Sequence, residues 1–289
     1  MTTKNFFSRC ENFSKVILLP LLLVSTTGNA ADGKLIATAG LIQVEGSGGG
    51  GLVPWATIAG YDSQEQTSLS AVSSTVSLDD YRLNVLGLTA SFYDRVEVGL
   101  TQQRFDLKTL GGEIKQNIIS MKYRLYGDVV YSDWPQLSVG MQYKSLQDKA
   151  VAELVGADKS DHGTDFYLAM TKVHLGAVAG YNALWNVTLR ATKANEMGLL
   201  GFGGVNNDDY QIMTEASVGL LMSRHLAFGV EYRQKPDNLG LNEDDWYDYF
   251  VSYIPNKNFN ITLAWAELGK IAGSEKQSGL YLSINGQLR

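Results

Sequence analysis

Residues 257–268 read KNFNITLAWAEL and residues 278–288 read SGLYLSINGQL. In the first stretch Phe259, Ile261, Leu263 and Trp265 alternate with Asn258, Asn260, Thr262 and Ala264. In the second, Leu280, Leu282, Ile284 and Leu288 alternate with Tyr281, Ser283, Asn285 and Gln287. Successive side chains on a strand point to opposite faces, so each stretch is a strand with one apolar and one polar face. Length then separates two classes. Strands of soluble proteins run about 5–6 residues, whereas a tilted strand that crosses a bilayer needs about 9–11. These two are long enough to cross.

The same pattern recurs toward the N-terminus. Leu226, Phe228, Val230 and Tyr232 alternate with polar or small residues, as do Trp185, Val187, Leu189 and Ala191, then Leu137, Val139, Met141 and Tyr143, then Ile119, Met121, Tyr123 and Leu125. Fourteen segments are expected: 34–45, 54–61, 66–76, 80–92, 95–106, 115–126, 136–145, 163–173, 184–193, 209–222, 225–235, 245–254, 257–268 and 278–288. Connections alternate in length. Tyr93-Asp94, Ser223-Arg224 and Ile254-Pro255-Asn256 are tight turns, while 46–53, 107–114, 146–162, 194–208, 236–244 and 269–277 are longer. Short turns on one rim and long loops on the other mark an all-β antiparallel transmembrane barrel, with the long loops outside. The short link at 77–79 and the long ones at 127–135 and 174–183 break the rule, so twelve strands is the alternative to about fourteen.

Proline cannot donate to a ladder, and Pro135, Pro236 and Pro255 fall in connections while Pro54 starts a segment. Trp55, Trp134, Trp185, Trp246 and Trp265 lie near segment ends, where an aromatic girdle meets the two membrane interfaces. With the apolar face toward lipid, the other face lines a lumen carrying Arg82, Glu97, Lys122, Arg124, Lys144, Asp165, Arg190, Glu215, Glu231, Arg233 and Asp248. Charges of both signs fit a hydrated channel or an ion-paired plug, or charges that pair with each other and only hold the wall. Asp148–Ser160 carries a short helical pattern that either narrows a pore or caps the rim.

Other motifs carry little chemistry. Gly46-Ser47-Gly48-Gly49-Gly50-Gly51 lacks the Gly-Lys-Ser/Thr ending of a phosphate loop and reads as a flexible link between the first two segments. The same holds for Gly198–Gly204. His162, His174 and His225 have no metal-ligand spacing. No serine sits in a nucleophile elbow, so a lipid hydrolase using His162 is the weakest of the readings. The acidic runs Asp208-Asp209 and Glu243-Asp244-Asp245 read as solvated outer loops. No metal or cofactor is expected.

The chain has 289 residues, 45% hydrophobic and 19% charged, with 30 Gly, 5 Pro and 1 Cys. A net charge of −6 argues against a basic nucleic-acid surface. Lys4, Arg9 and Lys15 precede the apolar run Val16–Val24, and Gly28-Asn29-Ala30 follows. Residues 1–30 thus read as a signal peptide cleaved after Ala30. Cleavage removes Cys10, the one cysteine, and leaves a mature barrel, 31–289, of net charge −8. Only Ala31–Gly33 then precede the first expected strand, so no N-terminal plug is expected.

The stretches GKLIATAGLIQVEGSGGGGLVPWATIAGY (33–61), YDRVEVGL (93–100), GTDFYLAMTK (163–172), LLGFGG (199–204), EYRQKPDNLG (231–240) and YIPNKNFNITLAWAELG (253–269) together resemble an uncharacterised Gram-negative family of envelope proteins, a domain of unknown function grouped with outer-membrane β-barrels. The resemblance spans nearly the whole mature chain. It implies export and a barrel, and it carries no activity and no functional residues. Such barrels often end in an aromatic residue, whereas this chain ends Gln287-Leu288-Arg289. The function expected is a passive, porin-like pore for small solutes in the outer membrane, without enzymatic chemistry. The alternative is a non-conducting barrel with a structural or surface role. Expected partners are outer-membrane lipid and lipopolysaccharide, the barrel-assembly machinery and small solutes, with no nucleic acid.

Overall fold

The computed structural model describes residues 34, 36–157 and 160–288. The expected signal peptide, 1–30, lies outside the described residues, as does Arg289. Twelve antiparallel strands form a closed barrel: β1 (Thr67–Leu78), β2 (Tyr81–Phe92), β3 (Val96–Leu107), β4 (Glu113–Tyr126), β5 (Gln136–Leu146), β6 (His162–Val178), β7 (Tyr181–Thr192), β8 (Gln211–Leu221), β9 (Leu226–Arg233), β10 (Trp246–Asn256), β11 (Phe259–Gly269) and β12 (Gln277–Leu288). Each strand pairs with its neighbour in sequence, and β12 closes on β1 from Leu69↔Leu288 to Leu78↔Gly279. Closure leaves no unpaired edge, which is what a bilayer demands of a sheet.

The twelve strands are the last twelve of the fourteen expected segments. Alternation sorts their faces. Leu88, Leu100, Leu263 and Leu280 point outward and are each about half exposed, with Phe166, Leu189, Val218 and Val251 in the same belt. Ser74, Thr89, Gln103, Ser138, Thr188, Ser252 and Ser283 point inward and are buried. An exposed apolar belt around a buried polar lining inverts the soluble pattern.

One rim carries the tight connections, among them 93–95, 179–180, 222–225 and 257–258, while the other carries 147–161, 193–210 and 234–245. A five-residue helix, α1 (Ala150–Leu154), lies in the first of these long loops. Its Ala152 is buried near Gly201 of the next loop while Leu154 is exposed, so α1 covers the rim.

Segments 34–45 and 54–61 are not strands. They run inside the barrel. Every residue from Thr38 to Asp62 is buried, and a 3-10 turn at Ala37–Gly40 and two isolated bridges, Ile42↔Gly48 and Gly49↔Pro54, are their regular structure. The expectation that no N-terminal plug exists is therefore corrected, as is the rim position assigned to 46–53. The physical reason is space. About eight strands can be filled by side chains alone. Twelve leave a wider bore, and the small, glycine-rich N-terminal segment occupies it.

Candidate functional site: a stoppered lumen

The plug is a folded-back chain whose two ends lie on the short-turn rim. Lys34 donates its backbone N–H to Tyr61 O at 3.1 Å, and Tyr93 in the β2–β3 turn donates to Gln66 O at 2.8 Å. The Lys34 ammonium sits 2.7 Å from Asp94 of that turn and 3.6 Å from Asp62, and it donates to Ile58 O. Asp62 accepts from Ser91 Oγ and from Asp94 N, both at 2.9 Å. Both ends of the plug are thus clamped at one turn.

Buried backbone groups need partners. Among the described residues, no backbone group of residues 38–62 bonds to the backbone of the wall. Wall side chains satisfy many of them instead. Gln103 donates to Val44 O at 2.9 Å, Thr89 to Gly46 O at 2.8 Å, Thr188 to Pro54 O at 2.8 Å, and Gln136 and Ser138 both to Ala56 O at 2.6 Å. Thr171 Oγ1 accepts from Ala56 N at 2.7 Å. These bonds explain why the inward faces are rich in Ser, Thr and Gln. Gly49 sits in the plug's own fold so tightly that a Cβ there would lie 2.3 Å from Val53 O.

The charges form three groups. Glu45 of the plug receives Lys144 Nζ at 2.5 Å and Arg233 at 2.7 Å, with Arg190 at 3.4 Å. Asp165 and Glu215 complete this cluster: Lys144 lies 2.6 Å from Asp165, and Arg190 lies 2.5 Å from Glu215. The wall supplies three cations and two carboxylates, and the plug's Glu45 is the third carboxylate. Buried charges persist only when paired, so the plug neutralises the wall. In the second group Lys122 lies 3.3 Å from Glu97 and donates to Gly48 O and Thr57 O, while Glu97 accepts from Ser47 Oγ, Gly48 N and Ala59 N at 2.7–3.0 Å. In the third, Glu231 accepts from Gly51 N and Leu52 N, each at 2.7 Å, from Ser217 Oγ, and from the Trp55 indole at 3.3 Å. The buried Asp248 stands beside Glu231 across the β9–β10 ladder, close to Gly51.

Of the residues expected to line a pore, Glu97, Lys122, Lys144, Asp165, Arg190, Glu215, Glu231, Arg233 and Asp248 face the lumen, buried against the plug. Arg124 lies at the short-turn rim, paired with Asp94 and, at 3.2 Å, with Asp128. Arg82 is a correction: it alternates outward on β2 and is exposed, because the inward positions of that strand fall on Tyr81 and Leu83. Two of the five expected girdle tryptophans are corrected as well. Trp55 belongs to the plug, donating to Ser217 Oγ at 2.9 Å, and Trp246 faces inward with Arg233 and Lys235 over its ring at 5.5 and 5.4 Å. Trp265 and Trp134 are exposed, and Trp185 donates to His174 Nε2.

The long-loop mouth is sealed by a second device that the sequence pattern does not reveal. In the β7–β8 loop, Leu199, Leu200 and Phe202 are buried, and Leu199 and Leu200 share one apolar core with Leu41, Val44, Leu52 and Val53 of the plug. Glu196 and Met197 there adopt left-handed backbone angles, φ 46° and 60°. Gln116 of the wall donates to Met197 O at 3.1 Å. Lys235 bridges Glu196 at 2.6 Å and Glu243 at 2.8 Å, tying three long loops together through Ala272 N, which donates to Glu243. Burial pushes the Glu196 carboxyl up to about 8, with Lys235 opposing and Glu243 reinforcing the shift. One clue was present: GLLGFGG is apolar for an outer loop.

His162 is exposed, its ring bonded to Asp161 at 2.8 Å, and the Ser160 hydroxyl donates to the His162 carbonyl, not to the ring. Among the described residues no cluster of His, Cys, Asp and Glu has the arrangement of a metal site.

The sequence model of a family described as "Protein of unknown function (DUF3034)" matches residues 38–285. The chain matches no curated protein. Among solved structures it is similar to the NanC porin (TM-score 0.50, 7% identity, 76% of this chain and 100% of that one). It is also similar to the outer membrane protein Omp33 of Acinetobacter baumannii (TM-score 0.48, 8% identity, 78% and 100%). A third is the KdgM porin, solved in complex with disordered oligogalacturonate (TM-score 0.48, 10% identity, 76% and 99%). At such identities the likeness is one of fold: the outer-membrane type of β-barrel.

Proposed function

The chain belongs to that family, whose description names no activity, and we propose from its own residues that it is an outer-membrane barrel acting as a gated passive channel for small solutes, closed at rest by residues 34–62. Export removes residues 1–30, the assembly machinery inserts the barrel, and its apolar belt meets lipid and lipopolysaccharide. The short-turn rim then faces the periplasm. No catalytic residue is assigned.

One observation carries this reading. The plug goes in and comes out at the same rim, and no backbone ladder joins residues 38–62 to the wall. Withdrawal threads nothing through the barrel and breaks no strand pairing. The departing plug gives up side-chain hydrogen bonds and ion pairs, and water can replace these on a polar wall. Solute selection in the open state then falls to the lumen charges.

The test is single-channel conductance in a planar bilayer, comparing residues 31–289 with the same protein lacking 34–62. The intact protein gives a closed baseline with rare openings. The deletion, once shown to fold as a barrel, gives steady unitary currents. A folded deletion that stays silent removes the channel reading and leaves a non-conducting barrel.

A further inference from the structure

Near the short-turn rim the inward positions of three strands are apolar: Val173 and Leu175 of β6, Leu221 of β8 and Ile254 of β10. These walls enclose a cavity of about 530 Å³, floored by Ile36, Ala37 and Tyr61 of the plug. It is a vestibule open to solvent: Leu175, at an inward position, is 63% exposed. Val173 and Ile254 are buried, and Val173 belongs to the apolar core against which Ile36 of the plug packs, so it is Leu175 that is left facing water. A cavity of a few hundred Å³ that is mostly apolar, with a few convergent polar groups, is the usual form of a small-ligand site.

The polar groups fix the ligand's charge. Arg224, His225 and Lys257 line the cavity and, among the described residues, no carboxylate does. Lys257 stands 5.9 Å over the Tyr61 ring, at the junction of wall and plug. His225 donates Nδ1–H to Ile254 O at 2.9 Å. Of the carboxylates at this rim, Asp62 and Asp94 are paired with Lys34, and Asp94 and Asp128 with Arg124. The vestibule is therefore an apolar pocket with a basic edge.

We infer that this vestibule binds a small anionic amphiphile, an apolar body with a carboxylate or phosphate head, the body against Leu175, Leu221 and Ile254 and the head toward Arg224 and Lys257. The plug supplies the floor, so the ligand binds the stoppered state better than the withdrawn one, and it holds the lumen closed by that difference in affinity. This last step rests on the gated-channel reading. The binding site does not.

The test uses the mature chain in nanodiscs, with empty nanodiscs subtracted, titrated with octanoate, octyl phosphate, octylammonium and acetate. Saturable binding is expected for an octyl chain with an anionic head, and octanoate against octyl phosphate shows which head is preferred. Octylammonium and acetate bind at least tenfold more weakly. Arg224→Glu with Lys257→Glu lowers octanoate affinity at least tenfold, and Leu175→Ser, at an exposed position, lowers it by a smaller factor. Octanoate binding no greater than in empty nanodiscs, equal binding of octylammonium, or an affinity unchanged in these folded variants overturns the inference. The two proposals fail separately. A silent plug deletion with octanoate still bound by the intact chain leaves the vestibule and removes the gate. Steady currents from the deletion with no octanoate binding do the reverse.

Discussion

The wall and the plug it encloses are stabilised in opposite ways. In the wall, backbone bonds to backbone around a closed ring, from β1–β2 to β12–β1, and side chains only decide which face meets what. In the plug, the backbone from Thr38 to Asp62 finds its outside partners among wall side chains: Glu97 and Lys122, Glu231, Thr89, Gln103, Gln136, Ser138 and Thr188. The difference teaches which part can leave. A ladder is cooperative, since each strand needs both neighbours, and losing one opens an edge in the membrane. The plug's bonds are dispersed over many strands, and each has an equivalent in water.

Three substitutions or conditions break or sharpen that contrast. The largest effect is expected in the wall. Leu263→Pro, in β11 with Val251 and Leu282 as its ladder partners, removes a ladder donor in the middle of a strand. It abolishes the folded barrel, read as loss of the gel-mobility shift on heating. A barrel that tolerates it would mean that the ladders are not what holds the wall.

Next comes the plug. Glu45→Gln keeps the shape of the side chain and leaves Lys144, Arg190 and Arg233 facing only Asp165 and Glu215. An uncompensated buried charge costs on the order of 3 kcal/mol. Hydrogen exchange in residues 41–57 should rise by about two orders of magnitude, while exchange in β1–β12 stays as it was. If wall and plug exchange faster together, the two are one cooperative unit and the contrast fails.

The smallest effect is expected at the outer seal. Glu196 holds its proton up to about pH 8 when buried with Lys235 and Glu243, whereas a hydrated glutamate releases it near pH 4.3. Between these values the closed β7–β8 loop binds a proton that the opened loop does not. Closure therefore weakens as pH rises through this window. Exchange at residues 195–204 should be faster at pH 9 than at pH 6 after correction for intrinsic rates, and Glu196→Gln should flatten that difference. A pH dependence that survives Glu196→Gln would assign it to another group.

The wall was legible in the sequence, strand by strand. Leu280, Leu282, Phe259 and Leu263 announce their face through a repeat of two residues, and that repeat is local: it follows from the pleat and needs no knowledge of the neighbours. The long and short connections gave the rims, and the polar positions gave nine of the wall charges now found against the plug. The plug was not legible, because GLIQVEGSGGGGLVPWATIAG has no repeat of its own to read. Its glycines looked like a flexible loop because the sequence does not show what surrounds them. Arg82 and Trp246 misled for a related reason: position near a strand end does not fix the face, and one residue of register moves a side chain to the other side. What the sequence determined by itself was a sheet of long two-faced strands with an apolar side, since pleat and hydrophobicity are properties of consecutive residues. Only the tertiary structure decided that the sheet closes at twelve strands around its own N-terminal segment, because the bore left by twelve strands, and the match of Glu45 to Lys144, Arg190 and Arg233, exist only once residues up to 188 positions apart in the chain stand face to face.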